Sequence, residues 1–182
     1  MTSALDLSKE IRRSADELLK QTSLIHLLSA YGSVETTGSY EYNLMIDPDI
    51  DLIVRTESVR QSAIEACRKL LEKPEFSRVE FGDFIHFPRL NRPAGCIVVL
   101  QVPVREILWE IEIWFVHPSH NANLKLKKEL SHISMQQKEN ILHIKQERAS
   151  KGISKHQLSS TEIYEGVILK NASSLAQLTN KI

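Results

Sequence analysis

The amino-acid sequence predicts an α+β fold, a small mixed sheet of about four to five strands with helices packed on one face, followed by a C-terminal helical region. Three observations carry this expectation. Runs rich in β-branched and aromatic residues recur at 33–37, 49–54, 76–87, 96–104 and 107–116. Apolar residues at three- and four-residue steps mark helices at Leu5–Leu19 and Ala63–Leu71. Beyond Asn121 the helical spacing persists. The expected organisation is an α/β domain over residues 1–118, which includes the N-terminal helices, and a helical region over 119–182.

In the first helix Leu7, Ile11, Ala15, Leu18 and Leu19 form one apolar stripe. A shorter helix follows, with Thr22 or Ser23 as its cap, Leu24, Leu27 and Leu28 on its buried face and Gly32 at its end. His26 lies beside that stripe with no acidic or histidine partner at helical spacing, which makes it a packing residue. Ser33–Thr37 is a strand, Gly38 a turn, and Ser39 the cap of a short helix over Tyr40–Met45. In the next strand alternation sends Ile50, Leu52 and Val54 to a core and Asp49 and Asp51 together to the other face.

Ser58 and Gln61 have the spacing of a capping box, opening a helix with Ala63, Ile64, Cys67, Leu70 and Leu71 inward and Pro74 beyond its end. Phe76–Phe87 reads as a strand bulged or broken at Gly82, and 88–95 as a loop whose Arg89 and Arg92 are either solvated or phosphate-facing. Two strands, 96–104 and 107–116, form a hairpin across Arg105-Glu106. Ile111, Ile113 and Phe115 share one side of the second strand, and Glu110, Glu112, Trp114 and Val116 the other. His117 and His120 belong to a loop, without the cysteine or acidic neighbours of a zinc site.

The C-terminal helices are expected to bury Leu126, Leu130 and Ile133 in the first, to open the second with a Ser134/Gln137 capping box and close it at Gly152, and to open the third with Ser159/Glu162. That third helix buries Ile163, Tyr164, Val167 and Ile168, and Ser173 starts a last short one. Lys125, Lys127, Lys128, Lys138, Lys145 and Arg148 form either a solvated face or the wall of a substrate site.

Lysine plus arginine equals aspartate plus glutamate at 23 each, so no global field draws the protein to nucleic acid or an anionic membrane. Cys67 and Cys96 form no C-x-x-C pair, which fits a reducing compartment. The first residues lack the basic segment and apolar run of a signal peptide, and no stretch reaches bilayer length. A cytoplasmic protein with no membrane partner is expected.

The chemistry centres on the acidic strand. Two carboxylates on one strand face repel unless a cation joins them, and hard oxygen ligands suit Mg2+ or Mn2+ better than zinc. Glu112, with Glu110 as the fallback, supplies a third carboxylate on a half-buried strand face. The Gly38-Ser39 turn, opening a helix nine residues or so upstream, offers backbone N–H groups to a phosphate.

Gly38-Ser39, Asp49-Ile50-Asp51 and Ile111-Glu112-Ile113, in that order, resemble the motifs of the nucleotidyltransferase superfamily related to DNA polymerase beta. The resemblance covers residues 33–116, about half of the chain. It implies a metal-dependent enzyme that transfers a nucleoside monophosphate from a nucleoside triphosphate, such as ATP, to an acceptor that is a small molecule, an RNA or a protein. It also implies that Asp49, Asp51 and Glu112 hold two Mg2+ or Mn2+ ions and that Gly38 and Ser39 bind the outer phosphates. Many members carry an Arg-Gly pair after the Gly-Ser, where this chain has Glu41-Tyr42-Asn43-Leu44-Met45. That departure keeps open an alternative, a catalytically inactive module of the same fold that binds a nucleotide or a protein partner.

Overall fold

The computed structural model describes residues 3–90, 92–121 and 124–179, with the side chains of Leu124 and Lys125 left out of the description. Asn91 of the expected loop and the Lys125 side chain therefore lie outside the described residues. The chain divides into two compact units. A sheet unit comprises Arg13–Glu41 and Pro48–Ala122, and a helical unit comprises Met1–Arg12, Tyr42–Asp47 and Asn123–Ile182. The helical unit thus takes, besides the C-terminal region, the first turns of the N-terminal helix and the six-residue segment Tyr42–Asp47.

The elements run α1 (Ala4–Thr22), α2 (Leu24–Ser29), β1 (Ser33–Thr37), α3 (Gly38–Glu41), β2 (Asp49–Arg55), α4 (Val59–Leu71), β3 (Arg78–Asp83), β4 (Gly95–Val104), β5 (Ile107–Val116), α5 (Leu124–Leu130), α6 (Met135–Ser150), α7 (Ser160–Lys170) and α8 (Ala176–Thr179). The five strands form one mixed sheet in the order β1-β2-β5-β4-β3. β2 and β5 pair in parallel, and the other neighbours are antiparallel. This is the α+β fold that the sequence predicts.

Alternation along the two central strands makes the sheet two-faced. Ile50, Leu52 and Val54 of β2 and Ile111, Ile113 and Phe115 of β5 are all fully buried on one face. Cys96, Val98 and Leu100 continue that face on β4, and α4 lies against β3, β4 and β5. At roughly 1.5–3 kcal/mol for each buried large aliphatic or aromatic side chain, this face is the main source of the sheet unit's stability. The other face carries the acidic residues.

The helical unit has its own core, built from Leu130, Ile141, Leu142, Ile144, Leu158, Ile163, Tyr164, Val167 and Leu175, with Leu44 from the inserted segment. Both expected capping boxes form there. Ser134 accepts from the Gln137 N–H and Ser159 from the Glu162 N–H, while each partner side chain accepts from its cap's N–H. Gly152 follows α6 with a φ of +68°. Lys145 and Arg148, expected on a solvated or substrate-facing surface, are only 2 % exposed. They continue the apolar stripe of Ile141 and Ile144, and each is stabilised by a carbonyl: Lys145 Nζ donates to Leu44 O at 2.6 Å and Arg148 to Leu158 O at 2.9 Å. No helix among the described residues is long and apolar enough to cross a membrane.

Several local expectations are corrected. Thr22 Oγ1 donates back to the Leu18 carbonyl at 2.9 Å, and Ser23, at a φ of 51°, makes no side-chain cap. α2 ends at Ser29, so Gly32 is not its terminator; a Cβ there would lie 2.3 Å from the Arg55 carbonyl oxygen, and glycine serves a close backbone approach. Ser58 makes no side-chain cap, since its backbone (φ −98°, ψ 57°) is not in the extended conformation that the Ser134 and Ser159 caps adopt, and the Gln61 side chain bonds to Glu65. The inward face of α4 is Val59, Ser62, Ala63, Ala66 and Leu70, with Leu71 64 % exposed. β3 ends at Asp83, since the Asp83 carboxylate accepts from the N–H groups of Ile85 and His86 and turns the chain.

Candidate functional site

The turn at Gly38 begins the site. Its φ is +66°, a region that L side chains rarely adopt. α3 then makes a single turn from Gly38 to Glu41, shorter than the expected helix over Tyr40–Met45, and Asn43 leaves it at a φ of 56°. Asparagine tolerates that left-handed conformation, so the chain can depart from helix here. Within the sheet unit Tyr40 Oη donates to Asp16 Oδ1 at 2.7 Å, and Thr36 Oγ1 bonds to the Glu41 carboxylate, which together tie α3 to α1 and β1. Ser39 is buried at 6 % exposure.

The acidic face follows from register. Asp49 pairs with Glu110 and Asp51 with Glu112 across the parallel β2–β5 ladder, and Glu110 N donates to Pro48 O at 3.0 Å at its start. Paired residues on neighbouring strands point to the same side, with strands about 4.8 Å apart. Asp49, Asp51, Glu110 and Glu112 are therefore four neighbours on one face. Asp49, Asp51 and Glu112 are partly exposed and Glu110 is exposed. Thr37 of β1 stands opposite Asp51, and Val99 and Gln101 of β4 stand opposite Glu112 and Glu110.

The turn and the acidic strand meet directly. A Cβ built on Gly38 would lie 1.9 Å from Asp51 Oδ2 and 2.7 Å from its Cγ. The Asp51 carboxylate occupies the space that any other residue at position 38 would fill. Gly38 is thus required twice, by its backbone conformation and by this contact. Of the residues singled out from sequence, Gly38, Asp49, Asp51 and Glu112 come together here, with Ser39 adjoining.

Four carboxylates on two adjacent strands concentrate negative charge and would be stabilised by a cation. Among the described residues, no three acidic, histidine or cysteine side chains are gathered closely enough to enclose an ion. The donor set nevertheless fits magnesium, which usually takes one or two carboxylates and completes its shell with water and substrate phosphate. A closed cage of four protein ligands is instead the arrangement of structural zinc sites.

Two other clusters flank the sheet. His117 hydrogen-bonds Glu57 at 2.7 Å and Ser119 at 2.7 Å, so it belongs to a polar loop. Asp83, missed by sequence reasoning, accepts from Arg60 at 2.8 Å and contacts His86 Nδ1 at 2.9 Å. Burial opposes its charge, but the Arg60, His86 and Ile85 hydrogen bonds prevail and hold its carboxyl well below the usual range. Burial and the Asp83 charge push the neighbouring Cys96 thiol up to about 11. Arg60 and Cys96 lie 23 and 13 residues from Asp83, so the Asp83–His86 spacing alone gives little signal of this cluster. Cys67 and Cys96 are both free thiols.

No protein-family model and no curated protein matches the sequence. Solved structures do match the fold. The polymerase core of TRAMP, an RNA surveillance complex, aligns with a TM-score of 0.59 and 18% identity over 100% of this chain and 60% of that one. The Cid1 poly(U) polymerase, in a structure with Mg and 3'-dATP bound, aligns at 0.61 and 21% identity over 87% of this chain and 48% of that one. The non-canonical poly(A) polymerase complex GLD-2–GLD-3 aligns at 0.55 and 13% identity over 96% and 61%. At such identities the likeness is one of fold. The chain spans about half to three-fifths of the length of these structures.

Proposed function

We propose that this chain is a metal-dependent nucleotidyltransferase that moves a nucleoside monophosphate from a nucleoside triphosphate to an acceptor hydroxyl or phosphate. One observation carries the reading: Gly38 is in contact with Asp51, and Asp51 is in register with Glu112. Turn, acidic strand and third carboxylate, which are far apart in sequence, become a single site. The fold likeness to poly(U) and poly(A) polymerases supports the same reaction class.

In this reading Asp49, Asp51 and Glu112 hold Mg2+ or Mn2+ together with the triphosphate oxygens. The bound ions would supply charge stabilisation at the attacking and leaving oxygens. The Gly38-Ser39 turn seats the outer phosphates by its backbone N–H groups, and the absence of a side chain at Gly38 leaves room for the Asp51 carboxylate against the turn. The acceptor oxygen bonds to the α-phosphorus as the bond to the β-phosphate oxygen breaks, and pyrophosphate leaves. Glu112 accepts the acceptor's proton, directly or through water. Burial of Ile50, Leu52, Ile111 and Ile113 behind these carboxylates fixes their backbones, so that only side-chain rotation is needed to converge on a cation.

The direct experiment is transfer of label from each α-labelled triphosphate, with and without magnesium, onto small hydroxyl compounds, RNA and protein. Magnesium-dependent labelling of one class, abolished by Asp51→Asn, is the expected result. Labelling that survives Asp49→Asn and Asp51→Asn together would end this assignment.

A further inference from the structure

The carboxylate face of the sheet does not end at Glu112. Two residues further along β5, about 7 Å at the usual strand rise, Trp114 stands on the same side. It stacks on Phe84 with ring centroids 5.5 Å apart, over a patch of Ile97, Val116 and Ile53. Two arginines of the β3–β4 loop lie on this pair: the Arg89 guanidinium is 5.6 Å from the Phe84 ring centre, and Arg92 is 5.8 Å from that of Trp114. Both arginines are exposed, and among the described residues neither makes an ion pair or a side-chain hydrogen bond. Between Phe84 and Arg89, Phe87 is 74 % exposed.

Stacking on a ring holds a guanidinium flat and leaves its N–H edge free to donate. Two such groups on one loop, neither ion-paired to a carboxylate among the described residues, recognise anions, and planar donors favour phosphate. An adjacent exposed aromatic ring suits a nucleobase, since every base has a face that stacks. The patch also lies on the same sheet face as the proposed transfer site. We infer that the β3–β4 loop is a docking site for single-stranded nucleic acid: Arg89 and Arg92 hold successive phosphates and Phe87 stacks a base. Delivery of that strand's end to Glu112 as the acceptor rests on the transferase reading; strand binding by the loop does not. The overall charge balance hides this site, because the arginines' charge is local.

The test is fluorescence anisotropy of a labelled single-stranded 12-nucleotide RNA at several salt concentrations, with the full chain. Wild type should bind, and the Arg89→Ala/Arg92→Ala double variant should bind at least tenfold more weakly. The slope of log affinity against log salt should fall by about 1.4, the loss of two phosphate contacts on a single strand. Phe87→Ala should weaken binding with the salt slope unchanged. Asp49→Asn/Asp51→Asn should still bind, and thermal melts of the loop variants should match wild type because the substituted side chains are exposed. A wild type that does not bind, loop variants that bind within twofold of it, or equal binding of a labelled poly-glutamate peptide would overturn the inference. RNA binding that depends on the loop, in a protein showing no magnesium-dependent response to any triphosphate, would sustain the inference while removing the transferase reading.

Discussion

Gly38→Ala isolates the contact on which the site depends. The substitution carries two costs. An alanine at a φ of +66° is in left-handed conformation, which costs about 1–2 kcal/mol. Its Cβ would also fall 1.9 Å from Asp51 Oδ2, so Asp51 must leave its rotamer, adding roughly 0.5–1.5 kcal/mol. In an Asp51→Ala background Oδ2 and Cγ are absent and the nearest remaining atom, Cβ, is 3.1 Å away, so the backbone cost remains with only a small shift of a few tenths of an ångström to relieve. Urea unfolding of wild type, both single variants and the double variant closes the cycle. The expected result is a smaller cost of Gly38→Ala when Asp51 is already alanine, by about 1 kcal/mol, the price of displacing one side chain. Equal costs in the two backgrounds would mean that Gly38 and Asp51 do not touch, and the single-site argument would fail.

Other consequences follow from neighbouring parts of the structure. Glu112→Gln should abolish magnesium-dependent transfer while Glu110→Gln reduces it less, since Glu112 is the residue opposite Asp51; a reversed order in a transfer assay would move the third carboxylate to Glu110. Lys145→Met keeps the volume but strands the Leu44 carbonyl, and should lower unfolding free energy by about 1–3 kcal/mol, read by chemical denaturation. Ser134→Ala and Ser159→Ala should each cost about 1 kcal/mol, and Ser58→Ala, which removes no cap, close to nothing. Asp83 has a folded-state pKa below its ordinary value of 3.8, so its contribution is fully present above that value and is lost as pH falls below it. Acid titration of stability should therefore be shallower for Asp83→Asn than for wild type below about pH 4.

The strands were legible because alternation is a local pattern: Ser33–Thr37 and the hairpin of β4 and β5 appear where the residues place them. The two capping boxes that form, at Ser134 and Ser159, were legible for the same reason, and the one that fails, at Ser58, has the same spacing but lacks the extended backbone of the other two caps, which spacing does not reveal. Charge at a helical position misleads when a carbonyl from elsewhere in the chain receives it. Lys145 is such a case, since its partner Leu44 lies 101 residues away. At the site, the common face of Asp49 and Asp51 could be read from their spacing, but their register with Glu110 and Glu112 depends on β2 and β5 pairing in parallel. Nothing in the spacing of Gly38 and Asp51 announces their contact, because it depends on the turn direction after β1. The aromatic pair beneath Arg89 and Arg92 is hidden likewise, as Phe84 and Trp114 come from different strands and loops.

Thermal melting with each nucleoside triphosphate, with and without magnesium, for wild type and for Asp49→Asn/Asp51→Asn, distinguishes a shared metal and nucleotide site from its absence. A ligand that binds only the folded state raises the melting temperature by mass action. At least one triphosphate should stabilise wild type only when magnesium is present, and the double variant should show no such shift although it remains folded. A shift that is independent of magnesium, or one that the double variant retains, would contradict a shared metal and nucleotide site at Asp49, Asp51 and Glu112.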